Sequence, residues 1–421
     1  MAHLSEVLVE AASVVGRVAS GRSLAPHFDA EGRLDRSGRA ALVELVYATL
    51  RRYGRVQAIV RLLSKRGRTD RLLEPLLWCA LAALDCGRYS PHTLVEQAVE
   101  AARKAGREHA AGYVNALLRA WLRGRALFET ALAADPVAFY WHPAWWIDRV
   151  RAAHPEHWQE ILAAGNTRPP MALRVNRRRA SPEQVLARLA QAGIGARRLE
   201  GMAIVLDRPL PVAHLPGYAE GVVSVQDAGA QRAISILDLR DGQRVLDACA
   251  APGGKSGHIL ECADVSLLAL EADAARCDAL RRNLARLGLS AEVRAADCTA
   301  VAQWWDGRPF ERILADVPCT GSGVVRRHPD AKWLRRASDA AGFARRQREI
   351  LDALWPLLAP GGKLLYVTCS VFPEENEEQV RDFLARTPQA RRLALPDGTP
   401  SQLLPDAEHD GFFFALIGKA T

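Results

Sequence analysis

Two short runs contain residue types capable of covalent chemistry: Asp316-Val317-Pro318-Cys319 and Tyr366-Val367-Thr368-Cys369-Ser370. Each sets a cysteine behind apolar residues, the pattern of a strand that ends in a turn. One cysteine at such a place is most often a small buried hydrophobe. Two of them at strand ends, one in a proline-stiffened turn beside an aspartate, read instead as reactive groups. A thiolate adds readily to electron-poor carbon and splits one difficult substitution into two easier ones. Cys369 would need activation by positive charge, which Lys255 or an arginine would supply.

A third run, Val245-Leu246-Asp247-Ala248-Cys249-Ala250-Ala251-Pro252-Gly253-Gly254-Lys255-Ser256, reads as strand, small-residue turn and helix. Such a turn lets backbone approach a ligand, and the helix N-terminus offers free N–H groups. Gly254-Lys255-Ser256 match the end of a phosphate-binding loop, but Cys249 stands where its first glycine belongs. The glycine fingerprint of dinucleotide sites is also missing. Acids at strand ends fit better. Glu271 closes the next strand, where a carboxylate takes ribose hydroxyls. Asp297 follows the third, within reach of an adenine amine. Acids in place of a cationic cradle suit an adenosine ligand without phosphates, such as S-adenosylmethionine.

These residues need a scaffold, and the periodicity supplies one. Strands are expected at 244–248, 266–270, 291–295, 312–315, 363–368 and 412–417, with helices at 255–262, 274–287, 339–358 and 374–386. That alternation predicts an α/β Rossmann-like domain with a parallel sheet, wrapped on both faces, and ligands at the strands' carboxyl ends. The first part of the chain has helical periodicity instead. Leu42, Leu45, Val46, Thr49 and Leu50 form one stripe, and similar patterns run through 72–84, 93–104 and 110–122. Between them lie an aromatic connector, Tyr140 to Trp146, a helical stretch to Ala164, and the breaker Gly165-Asn166-Thr167-Arg168-Pro169-Pro170. Beyond the breaker, strands at 172–176, 203–206 and 221–225 and a helix at 181–192 predict a small α+β unit. The expected domains are an all-α bundle at 1–135, a linker and α+β connector at 136–235, and the Rossmann-like domain at 236–421.

Asp-x-Pro-Cys-x-Gly-x-Gly, Thr-Cys-Ser-x-x-Pro-Glu-Glu-Asn and Ala-Ala-Pro-Gly-Gly-Lys together resemble the RNA cytosine-5 methyltransferase family. Tyr113-Val114-Asn115-Ala116-Leu117-Leu118-Arg119 and the surrounding bundle resemble the NusB-like RNA-binding domain, so the likeness spans nearly the whole chain. It implies transfer of a methyl group from S-adenosylmethionine to C5 of a cytosine in small-subunit 16S rRNA. By the same resemblance Cys369 is the nucleophile, and Cys319 serves release of the enzyme–RNA adduct. Cys249, Ala250, Ala251, Pro252, Gly253, Gly254 and Lys255 would line the methionine and sugar of the donor. Glu271 would hold the ribose, Asp297 the adenine, and Asp316 would sit between donor and base. Glu271 departs from the family's usual aspartate, and Val317 from its usual alanine.

Composition agrees with an RNA partner. Lys+Arg 56 against Asp+Glu 48 gives a net charge of +8. The run 324–333, with Arg326, Arg327, His328, Lys332 and Trp333, interleaves cations with an aromatic as RNA contacts do. Arg174 and Arg177 offer a second basic strip. The eight cysteines form no C-x-x-C pair, so neither metal nor disulfide scaffold is expected, and the remaining five, Cys79, Cys86, Cys262, Cys277 and Cys298, read as structural. No run approaches the roughly 20 apolar residues of a membrane span. The start of the chain, with Glu6 and Glu10 and no early Lys or Arg, is unlike a secretory signal. A soluble, cytoplasmic monomer is expected. Two rivals stay open: a tRNA cytosine methyltransferase using the same site, and a non-catalytic RNA-binding or assembly protein.

Overall fold

The computed structural model describes residues 3–24, 34–64 and 73–420. It divides into two compact units, Met1–Thr167 with Val325–Ala337, and Arg168–Val324 with Ser338–Thr421. These cuts differ from the expected 135 and 235. The helical unit runs on to residue 167 and takes back a segment from far along the chain, which no local pattern announces.

The helical unit forms because its stripes find a common core. The helix Glu74–Cys86 is buried from Pro75 through Leu84 and stands at the centre. Leu72, at the start of its expected span, lies outside the described residues. It ends at Gly87, whose left-handed φ of 65° suits glycine. Asp35 accepts a hydrogen bond from the Gly38 amide to start Arg36–Arg51, and Ser90 with Pro91 at the first position starts Pro91–Lys104. Ala111–Ala133 runs well past the expected 122. The stretch expected to be helical to Ala164 divides into Ala144–Ala153 and Trp158–Gly165. The returning segment carries the helix Ala331–Leu334; there the Lys332 ammonium donates to the Arg51 carbonyl at 3.1 Å and to Asn166 Oδ1 at 2.8 Å. The Trp333 indole donates to the Leu50 carbonyl at 2.8 Å and packs edge-on against Tyr53.

The second unit holds two sheets. The small one contains β1 (Met171–Val175), β2 (Ala196–Arg198), β3 (Ala203–Leu206) and β4 (Val223–Val225), in the antiparallel order β2-β3-β1-β4. Its helix, Pro182–Gln191, begins with a capping box between Ser181 and Gln184. β2 was absent from the expected elements; its three residues, Ala-Arg-Arg, carry no apolar alternation. The large sheet contains β5 (Arg244–Asp247), β6 (Ser266–Glu271), β7 (Glu292–Ala295), β8 (Phe310–Asp316), β9 (Leu358–Thr368), β10 (Ala390–Arg392), β11 (Gln402–Leu403) and β12 (Phe412–Lys419).

Strand order is β10-β12-β9-β8-β5-β6-β7, with β11 beside β12. The five strands from β9 to β7 are parallel, as expected, whereas β12 runs antiparallel to β9 and pairs with β10 and β11 antiparallel too. The sheet is therefore mixed. Phe412 through Ile417 is buried throughout, and a run buried on both faces carries no sign of its direction. The chain leaves β5 outward through β6 and β7, then returns to place β8 on its other side. That reversal is the switch point where open α/β sheets bind ligands. Among the described residues no helix is long and apolar enough to cross a membrane.

Candidate active site

A cavity of about 310 Å³ opens at the carboxyl ends of β5, β6, β7 and β8. Cys249, Ala251, Glu271, Asp297, Asp316, Cys319 and Cys369 all line it, so the main chemistry-bearing residues of the sequence converge. Ala250, Pro252, Gly253 and Gly254 shape the turn without walling the cavity. Gly253 has φ +94°, and a Cβ there would meet Leu280 Cγ at 3.1 Å. The helix Gly254–Cys262 follows and points its N-terminus out of this turn.

Each of the three acids lining the cavity already has a cation. The Lys255 ammonium donates to Asp316 Oδ2 at 2.6 Å. Burial works against the Lys255 charge, but Asp316, Cys369 and Asp247 outweigh it and lift its pKa above the ordinary lysine value. Arg346 grips Asp297 with two bonds, 2.6 and 2.5 Å. Burial opposes the Asp297 charge too, yet hydrogen bonds from Thr299 and the Arg346 pair hold its pKa below normal. Arg276 donates to Glu271 at 3.3 Å. Asp247, at the end of β5, has no cation in hydrogen-bond contact among the described residues; its Oδ2 accepts from Ser256 at 2.7 Å, and burial pushes its pKa up to about 7.

The sulfurs of Cys319 and Cys369 lie 3.2 Å apart. Contact with Cys369, and then burial, raises the Cys319 pKa well above the ordinary thiol value, so this sulfur keeps its proton. Glycines shape the turn after Cys319, where Gly323 packs against the loop before β12. Gly321 has φ +73°, and a Cβ on Gly323 would stand 2.4 Å from the Gly411 carbonyl oxygen. The Gly323 amide donates to the Cys369 carbonyl at 2.9 Å, tying the two turns together.

Four groups at the site were not anticipated, the first being Arg276, the partner of Glu271. Arg346 lines the cavity from the helix Asp339–Leu354. Cys298, expected to be structural, also lines it, and its hydrogen bond with Cys249 raises the Cys249 pKa and lowers its own. Glu375, fully buried within Pro-Glu-Glu-Asn, accepts from Thr320 and Ser370. The motif was visible in the sequence, but nothing in it distinguishes the fully buried glutamate from its half-buried neighbour Glu374.

The basic residues divide. Arg174 has no exposed surface; it donates to both Glu261 oxygens at 2.8 and 2.7 Å, and to Gln226 and the Gly254 carbonyl, each at 2.6 Å. Arg326 is 2% exposed, its carbonyl accepting from Arg51, and Lys332 is 0% exposed. A phosphate cannot reach a cation with no surface, so the RNA contact expected of Arg174, Arg326 and Lys332 is corrected to an internal structural role. Arg177 and His328 are exposed and Arg327 partly so.

Residues 234–418 match the family described as 16S rRNA methyltransferase RsmB/F, residues 142–213 the ferredoxin-like domain of RsmF/B-like methyltransferases, and residues 5–123 the NusB family. Ribosomal RNA small subunit methyltransferase B of Pseudomonas putida is 42% identical over 423 residues, covering 97% of this chain and 96% of its own. The protein of that name from Klebsiella pneumoniae is 44% identical over 398 residues, covering 90% of each chain. The crystal structure of PH0851 aligns over 98% of this chain and 99% of its own, with a TM-score of 0.79 and 23% identity. A methyltransferase homolog from Pyrococcus horikoshii aligns over 65% of this chain and 93% of its own, with a TM-score of 0.58 and 29% identity.

Proposed function

The chain belongs to the 16S rRNA methyltransferase RsmB/F family, and from that premise we propose that it methylates C5 of a cytosine in 16S rRNA through a transient bond between Cys369 and C6 of the base. One observation carries the reading: two thiols 3.2 Å apart on the wall of a cavity whose other walls present Glu271, Asp297 and Asp316.

The donor set suits S-adenosylmethionine. Glu271 would take the ribose hydroxyls and Asp297 the adenine amine, while Cys249 and Ala251 leave room beside the methionine part. When bound, this donor supplies a methyl group on positively charged sulfur. The chain's own residues do the rest. C5 of cytosine is a poor nucleophile until a thiolate adds to C6 and sends electron density toward C5. Cys369 makes that attack, with the Lys255 ammonium electrostatically coupled to its sulfur. Asp316, steadied by the same lysine, meets the N3/N4 edge of the base. After C5 takes the methyl group, a water molecule acting as base removes the C5 proton, the electron pair of that bond restores the C5–C6 double bond, and Cys369 leaves C6 as a thiolate. Cys319, touching Cys369, serves this release.

The target base must leave its stack to reach the cavity, so a flipped or single-stranded cytosine is the substrate. Arg177, Arg327 and His328 remain the candidates for gripping RNA phosphates, and the NusB-like bundle for RNA binding as a domain. Single-base bisulfite mapping of purified 16S rRNA tests the activity. Cys369→Ala should abolish methylation, and Cys319→Ala should leave a protein–RNA adduct that survives denaturation. Full activity in Cys369→Ala would overturn the mechanism.

A further inference from the structure

Beneath the two thiols lies a buried carboxylate that the chemistry above does not use. Glu375 Oε1 accepts from the Thr320 amide at 2.8 Å and from Gln347 Nε2 at 3.2 Å. Its Oε2 accepts from the Thr320 hydroxyl at 2.6 Å and the Ser370 hydroxyl at 2.5 Å. Thr320 directly follows Cys319, and Ser370 directly follows Cys369. One side chain therefore holds the residue behind each sulfur.

The surrounding bonds reinforce the clasp. Gln347 Nε2 also donates to the Pro318 carbonyl at 2.9 Å, on the other side of Cys319. Tyr366 donates its hydroxyl to the Glu375 backbone carbonyl at 2.6 Å, fixing the glutamate's own turn. Ser322 and Ser370 hydroxyls meet at 2.9 Å, and the Ser322 hydroxyl accepts from the Val371 amide at 2.8 Å. Thr320, Ser322, Ser370 and Glu375 are all buried, so water does not compete for these bonds. A carboxylate removed from water persists when its lone pairs are filled, and here four donors fill them. A structural need could be met by an apolar residue of similar size. The acid instead joins two turns that come from different strands.

We infer that Glu375 is a positioning residue: its carboxylate clasps the turns after β8 and β9 and sets Cys319 and Cys369 in contact. The inference rests on the reading that these two cysteines carry the reaction, and it explains how they come to act as a pair. The geometry assigns Glu375 no contact with RNA or methyl donor.

The test uses the full chain with Glu375→Ala and the isosteric Glu375→Gln, the latter keeping one acceptor oxygen. Misplacing a reacting sulfur by about 1 Å costs on the order of 100-fold in turnover. Glu375→Ala should lose that factor in kcat, while KM for 16S rRNA and calorimetric affinity for S-adenosylhomocysteine stay within about twofold, since neither binding surface is touched. Glu375→Gln should fall between the variant and the parent. A second readout needs no methylation. Iodoacetamide labelling, followed by peptide mass spectrometry, gives the ratio of Cys369 to Cys319 alkylation, with exposed Cys86 as the internal reference. Contact makes one sulfur donor and the other acceptor, and losing it should bring the ratio severalfold closer to one. Unchanged kcat in both variants, or an unchanged ratio, overturns the clasp. If Cys369→Ala still methylates while Glu375→Ala collapses the ratio, the clasp stands and the catalytic reading fails. If Cys369→Ala is inactive and the ratio does not move, the clasp alone fails.

Discussion

Arg174 gives the most demanding test of how the sequence's basic residues divide. Arg174→Met would leave the Glu261 carboxylate, 1% exposed, without its cation, and would orphan acceptors on Gln226 and Gly254. Breaking one side of a buried ion pair costs about 3–5 kcal/mol, mostly because the surviving charge stays buried. For a unit of this size each kcal/mol lowers Tm by roughly 2–4 °C, so a drop of about 6–20 °C is expected. Adding Glu261→Met should recover most of that loss, because a packed apolar pair matches or exceeds a buried ion pair. Calorimetry on the full chain, following the transition of the second unit, measures both. The repaired double variant then answers the RNA question. On single-stranded RNA a phosphate-binding arginine contributes about 0.7 to the slope of log K against log[salt], whereas Arg174 should contribute nothing. A loss below about 1 kcal/mol in the single variant, no recovery in the double, or a lower salt slope would each refute the structural assignment.

Asp247 predicts a pH dependence. Its folded pKa of about 7 lies above the ordinary 3.8, so the unfolded chain loses this proton first. Its contribution is therefore fully present below about pH 4 and lost as pH rises to 7, by at most about 4 kcal/mol. Asp247→Asn, which keeps an acceptor for Ser256, should flatten that part of the stability profile; a parallel profile in the variant refutes the assignment. Gly323→Ala puts a methyl 2.4 Å from the Gly411 oxygen, where backbone must move. It should cost about 1–3 kcal/mol and shift the turn after Cys319 against the loop before β12. Unchanged melting and methylation would show that the approach is looser than 2.4 Å.

Much of the site was legible because strand ends write their chemistry locally. Apolar runs ending in Asp316, Cys319 and Cys369 predicted the carboxyl edge of a sheet, and the helix 274–287 was read to the residue. Partnership across the fold was not legible. Arg174 sits in a basic strip with exposed Arg177, but it lies within β1 and reaches Glu261, whereas Arg177 falls in the turn beyond the strand. Lys332 followed two arginines and a histidine, a surface pattern by composition, yet its ammonium ends on the Arg51 carbonyl and Asn166. The direction of β12 was hidden because all six residues from Phe412 to Ile417 are apolar or small.

The helical unit is assembled from Met1–Thr167 and Val325–Ala337. A ribosome delivers those stretches at different times, with the small sheet and four strands of the large one emerging between them. Chains fold from the N-terminus as they are made. The nascent bundle must therefore wait, with the ground for Trp333 beside Tyr53 uncovered, until the catalytic half is largely synthesised. Truncation at residue 167 would imitate that waiting state permanently, and a gene fusion that borrowed only the leading stretch would inherit it. Heredity cannot shuffle this bundle as a cassette: two cuts are needed where one would serve an ordinary domain.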